Sequence, residues 1–290
     1  ATTMIRDSAF NTLVLTGSGL KTLGAAASTS VLTIENSAQL VAPSTYLSVS
    51  GNYTNNATFS DGTGTILFDG SSAQTIAGTL TDSTANTSGF NNVTFLGAGT
   101  KTLSATYATA TGNVLIPSGV TVVWPVRGYV SIAGNFTQSG TFTSNSGTTS
   151  FSGTSGSQTL SGTFTGEGAT KGQFRDVVFL GAATKSFGAN SASTSNFFIE
   201  SGSGAVTAPS TLLSVSGNFR NSATFTANSG TVLIASSSAQ TLSGTLTTAT
   251  ANSSGFNNLN LYGSGVKVFL DNATTTGTLL LDATSGALTG

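Results

Sequence analysis

Along most of the chain, apolar and polar residues alternate with a period of two. The third and fifth residues after Phe10, Phe90, Phe174 and Phe256 are apolar each time: Leu13/Leu15, Val93/Phe95, Val177/Phe179 and Leu259/Leu261. Polar residues such as Thr12, Asn92, Thr94, Asp176, Asn258 and Asn260 stand between them, with Val14 and Val178 as exceptions. Successive side chains of a strand point to opposite faces, so this period predicts strands with one buried face. Shorter runs at Thr65–Phe68 (TILF), 130–132 (VSI) and 231–234 (TVLI) have the same character, most of them flanked by Gly, Ser or Asn. No helical period of useful length occurs. The stretch 24–30 (GAAASTS) has neither an apolar face nor a helix cap signal, and is predicted to be a loop or corner.

The alternating segments belong to a larger repeat. One block reads FNTLVLTGSGLKTL at Phe10, FNNVTFLGAGTKTL at Phe90, FRDVVFLGAATKSF at Phe174 and FNNLNLYGSGVKVF at Phe256, with starts 80, 84 and 82 residues apart. A second reads GNYTNNATF at Gly51, GNFTQSGTF at Gly134 and GNFRNSATF at Gly217. A third reads QTIAGTL at Gln74, QTLSGTF at Gln158 and QTLSGTL at Gln240. The chain is therefore about three and a half copies of one unit of ~82 residues, spanning roughly 10–89, 90–173, 174–255 and a partial 256–290.

A repeat of this length, with few Asn-Gly or Asp-Gly hairpin signals between strands, predicts an all-β fold: a single parallel β-solenoid over 1–290. Coils of ~20–28 residues give ~11–14 coils and a rod of ~55–65 Å at the strand spacing. A tandem array of β-sandwiches is the runner-up, because ~82 residues also suits an Ig-like domain. Against it stand the lack of linkers between units and a partial fourth unit too short for a sandwich. The aromatics, Trp124 and Phe197/Phe198 among them, are expected to stack in the core.

Composition narrows the chemistry. The 290 residues include 52 Thr, 43 Ser and 36 Gly, only 7% are charged, and the net charge is −1. A basic nucleic-acid face is excluded by charge, and 38% hydrophobic residues argue against a disordered polyelectrolyte. With no Cys and no His there are no disulfides, no thiolate or imidazole metal ligands, and no catalysis by a His base. The ten acidic residues, including Asp61, Asp69, Asp176 and Glu200, lie scattered without the i, i+2 spacing of a Ca²⁺ loop. No cofactor, no metal and no enzymatic activity are expected, and no apolar stretch is long enough for a membrane-spanning helix.

The blocks GNFTQSGTF at Gly134, QTLSGTL at Gln240 and FNNL at Phe256 resemble those of bacterial surface proteins built from β-strand repeats. The group includes right-handed β-helix adhesins, autotransporter-type passengers and surface-layer or filament components. The resemblance implies a β-helix at the cell surface or outside the cell, exported with its signal removed. It carries no recognisable secretion or anchoring segment with it.

Two sets of residues stand out as candidate sites. Lysine is the one charged residue with a fixed place in the repeat, at Lys21, Lys101, Lys185 and Lys267. It shares its side with an apolar residue two places on, so it is expected at a corner, its stem over the core and its ammonium in water, in a structural role. The second set is at the ends, where a solenoid exposes unpaired strand edges. Ala1, Thr3, Ile5, Phe10 and Leu13 at one end, and Leu279, Leu280, Leu281 and Leu288 at the other, are the expected surfaces of a head-to-tail contact. The functional expectation is a structural, self-assembling filament or surface-layer subunit whose partner is another copy of itself. The alternatives are a monomeric adhesin or passenger stalk presenting a surface to glycan or host and, more remotely, a polysaccharide-degrading β-helix enzyme.

Overall fold

The structure is a computed structural model and describes residues 3–5, 8–83, 86–165, 172–188, 191–249 and 252–290. These residues are all β, with no helix among them, and form parallel β-solenoid of about 12 turns. They group into two compact units, Ala1–Gly147 and Thr148–Gly290, whose boundary falls inside the second repeat. Ladders within each unit are parallel, apart from the short pairs Asp82–Ser83 with Asn86–Thr87 and Thr248–Ala249 with Asn252–Ser253. This overturns the sandwich alternative, whose sheets are antiparallel.

In the first unit one column of inward residues runs Leu13, Leu32, Tyr53, Ile76, Leu103, so that successive turns take 19, 21, 23 and 27 residues. In the second unit Val177, Phe197, Phe219, Leu242 and Phe269 form a column with turns of 20, 22, 23 and 27. Each 27-residue turn holds one of the antiparallel pairs. The inward columns are apolar and buried, and the outward positions carry Thr, Ser and Asn. Rings stack along the columns: Tyr53 meets Phe59, Phe68 and Phe90 edge to face, and Phe197 lies 5.2 Å from Phe219 with the planes nearly parallel. Such ring pairs add to area burial in holding successive turns.

Two local expectations are corrected. Residues 27–30 are not a corner but the start of the strand Ala27–Ile34, in which Ala27 and Thr29 point inward and pair with Ser8 and Phe10 on one side and with Leu47 and Val49 on the other. Small residues here replace bulky ones on the buried face, which hid the alternation. Phe198 does not join the core as Phe197 does. It faces outward under the guanidinium of Arg220, 5.0 Å from the ring centroid, and Arg220 is also paired with Glu200.

The outer corners are held by asparagine ladders. Asn92 Oδ1 accepts from the backbone N–H of Asn113 at 2.9 Å, and Asn113 Oδ1 from that of Asn135 at 2.8 Å. In the second unit Asn196 Oδ1 accepts from Asn218 N–H, and Asn218 Oδ1 from Thr241 N–H. A side-chain acceptor at each corner satisfies a backbone donor that leaves the ladder where the chain bends.

Candidate functional site

Three of the four repeat lysines are fully buried. Lys101 Nζ donates to the carbonyls of Gly70, Gly97 and Gly99 at 2.7–2.8 Å. Lys185 Nζ is held in the same way by Gly153, Gly181 and Ala183, and Lys267 Nζ by Ser236, Gly263 and Gly265. In each case two carbonyls come from the lysine's own corner and the third from the preceding turn. The expectation of an ammonium in water is therefore wrong for these three. The alternation placed Lys101 on the side of Leu103 correctly, but the corner carbonyls replace water for the charged end, so it stays inside. Among the described residues Lys21 has Gly17 and Gly19 as partners, and it is half-buried.

Each buried lysine pairs in register with a glutamine: Gln74 with Lys101, Gln158 with Lys185 and Gln240 with Lys267. The glutamines carry a role that the sequence did not reveal, since a Gln in a strand reads as an ordinary outward polar residue. Gln74 Nε2 donates to the carbonyls of Val49 and Gly51 in the turn before, and its Oε1 accepts from Gly70 N–H at 2.8 Å. Gln240 Nε2 makes the matching pair of bonds to Val215 and Gly217. Gly70 is thus bracketed, its N–H on Gln74 and its carbonyl on Lys101. A Cβ on Gly70 would stand 2.7 Å from Gln74 Cδ. The third copy has Ser236 at this place, and there Gln240 Oε1 has no partner among the described residues.

Desolvation in this setting lowers the ammonium pKa of all three lysines, that of Lys185 to about 8. For Lys101 the Asp69 charge acts against that lowering. An amine enclosed by carbonyls is out of reach of a substrate, so the constellation can hold corners together and does no chemistry on an external molecule. Among the described residues no three acidic side chains gather into a possible metal site, and no helix is long and apolar enough to cross a membrane.

The end residues fall into two groups. Leu279–Leu281 pairs with Asn258–Tyr262 on one side, Leu279 opposite Leu259 and Leu281 opposite Leu261. Earlier members of this column, Leu213/Val215, Val232/Ile234 and Leu259/Leu261, are buried, whereas Leu279 and Leu281 are 52% and 50% exposed. Leu288 sits opposite Lys267 and is equally open, as is Leu280. Leu279 and Leu288 line, with Leu259, Leu261 and Phe269, an open cavity of about 500 Å³ at the last turn. At the other end, among the described residues, Thr3–Ile5 pairs only with Gly19–Leu23, and Ser8–Leu15 only with Ala27–Ile34. Leu13 faces the core and is 8% exposed, so it offers an end contact its backbone rather than its side chain, and Phe10 is half-buried. Ala1 lies outside the described residues.

Compared with protein-family models, with curated proteins and with solved structures, the chain matches none.

Proposed function

We propose that this chain is a structural protein of the cell exterior that assembles end to end into a filament or surface layer, the first turn of one copy adding its strands to the last turn of another. The observation that carries the reading is the leucine column that is buried at Leu259 and Leu261 and half exposed at Leu279 and Leu281. One further turn would complete it, and strand addition supplies the backbone bonds along with the apolar cover. The turns to be joined are similar in length: Ser8 to Ala27 takes 19 residues, and Leu259 to Leu279 takes 20. A low net charge of −1 puts little repulsion between copies. A heterologous contact of this kind does not close on itself and grows as an open polymer.

Electron microscopy and light scattering at several concentrations test this. Fibres or layers that lengthen with concentration, and that disappear in Leu279→Asp/Leu281→Asp while the β-sheet circular dichroism is unchanged, are the expected result. Monomeric particles at every concentration would sink the reading.

A further inference from the structure

The repeats provide an internal control, because a feature carried by one copy alone is not needed to make a turn. The first and third copies have Ala-Pro-Ser-Thr at 42–45 and 208–211. The second has Trp-Pro-Val-Arg-Gly at 124–128, one residue longer and with an arginine. A second departure lies one turn earlier. Tyr107 precedes Ala108, which bridges to Leu80, and in the third copy Ser191 precedes Ala192, which bridges to Phe164 in the same way. Tyrosine thus stands where the third copy has serine.

These two departures meet in space, both within the first unit. Tyr107 and Tyr129 are opposite each other in the parallel register of 107–110 and 129–132. Their ring centroids are 4.9 Å apart, and the residues are 49% and 39% exposed. In the first copy Tyr46 is the counterpart of Tyr129, and the matching place in the turn before it holds Ala26, the residue that precedes Ala27 as Tyr107 precedes Ala108. Beside the tyrosines runs a groove of about 410 Å³. Thr102, Ser104 and Thr106 line it from one turn and Val126 and Arg127 from the next, with Trp124 at its inner wall. Neither tyrosine lines the groove, but its lining residues Thr106 and Arg127 come one and two residues before them, which keeps the ring pair close to it along the chain.

A paired aromatic surface left in water, next to a groove whose largely apolar walls carry the hydroxyls of Thr102, Ser104 and Thr106 and the guanidinium of Arg127, matches a particular ligand chemistry. A pyranose ring has a C–H face that packs on an aromatic ring and a rim of hydroxyls that needs hydrogen-bond partners. The groove's apolar walls suit the C–H faces and its hydroxyls and guanidinium the polar rim, and a nucleic acid needs more positive charge than one arginine. The planar fork of Arg127 fits a carboxylate. We propose that this groove and its tyrosine pair bind a saccharide chain bearing carboxylates, with sugar rings on Tyr107 and Tyr129 and a uronate carboxylate on Arg127. The site uses none of the end-contact residues, so it stands or falls apart from the assembly.

Trp124 is the only tryptophan and lines the groove, which makes its fluorescence a built-in reporter. The full chain is titrated with oligosaccharides of galacturonate, guluronate and glucuronate, and with the methyl ester of any that binds. The expected result is saturable binding of at least one uronate, weakened about tenfold in its ester. Arg127→Gln removes that difference. Tyr107→Ser/Tyr129→Leu, which installs the third copy's residues, abolishes binding of acid and ester with the thermal midpoint and circular dichroism retained. Absence of binding to all three acids at millimolar concentration would overturn the proposal, as would undiminished binding in the tyrosine variant.

Discussion

Tyr53 carries a hydroxyl that its counterparts Phe136 and Phe219 lack. It is fully buried, and its hydroxyl has no hydrogen-bond partner among the described residues. Burial, and after it the Asp61 charge, hold the phenol well above its usual pKa. A buried unsatisfied group costs about 1–3 kcal/mol, so Tyr53→Phe is expected to stabilise the protein by about 1 kcal/mol in urea unfolding, and a loss of stability would contradict the packing described. Lys185 predicts the opposite. Lys185→Met removes the ammonium from the carbonyls of Gly153, Gly181 and Ala183, of which Gly153 and Gly181 keep the N–H of Ala183 and of Gly204, and is expected to cost about 1–3 kcal/mol at neutral pH. Its folded pKa of about 8 lies below the ordinary lysine value of 10.5, so between these the unfolded chain holds more protons than the fold. Wild-type stability therefore rises with pH across that window, by up to about 3 kcal/mol relative to Lys185→Met, and urea unfolding of both at pH 7.5 and 10.5 reads the difference. The side on which these lysines lie was legible from alternation. Where their charge goes was not, because the solvating groups are backbone carbonyls of a neighbouring turn that no local pattern encodes.

At the level of elements, the long turns carry their own device. Ser254 Oγ accepts from Phe225 N–H at 3.2 Å and reaches Ala223 O, and Ser88 does the same for Phe59 and Ala57. A serine hydroxyl thus takes the place of the next strand's backbone beside Phe225–Thr226 and Thr58–Ser60. Ser254→Ala should cost about 1–2 kcal/mol and speed amide exchange at Phe225 before that of the other core strands, which hydrogen-exchange NMR would resolve. Gly244 has φ +92°, and a Cβ there would meet Asn221 O at 2.0 Å, so Gly244→Ala should be more damaging than the serine change. The strands themselves were readable: Thr65–Phe68 is a strand as expected, and 231–234 lies within Thr231–Ala235. The antiparallel pair Asp82–Ser83 with Asn86–Thr87 was not, because its sequence is polar throughout and has no alternation to betray a strand.

For the whole molecule, the parallel solenoid could be inferred because the same blocks return at 80–84 residues, whereas the division into Ala1–Gly147 and Thr148–Gly290 follows no break in that pattern. With no histidine, the chain has no side chain of ordinary pKa between about 5 and 8. The urea midpoint should stay level from pH 5.5 to 7 and climb only as the buried lysines begin to lose protons, so a slope below pH 7 would reveal a titrating group outside this account. Repeat and turn also run at different pitches. Leu13 comes into line with Leu103 after four turns, ninety residues on, while the block that contains Leu13 returns at Val93, ten residues sooner and in another column, that of Ile66 and Val114. Duplicating a repeat therefore turns its cargo as well as copying it. A binding feature gained by one copy and inherited by the next would face a new direction, like successive steps of a spiral stair, and a straight stripe of identical sites would require a repeat that closes on whole turns.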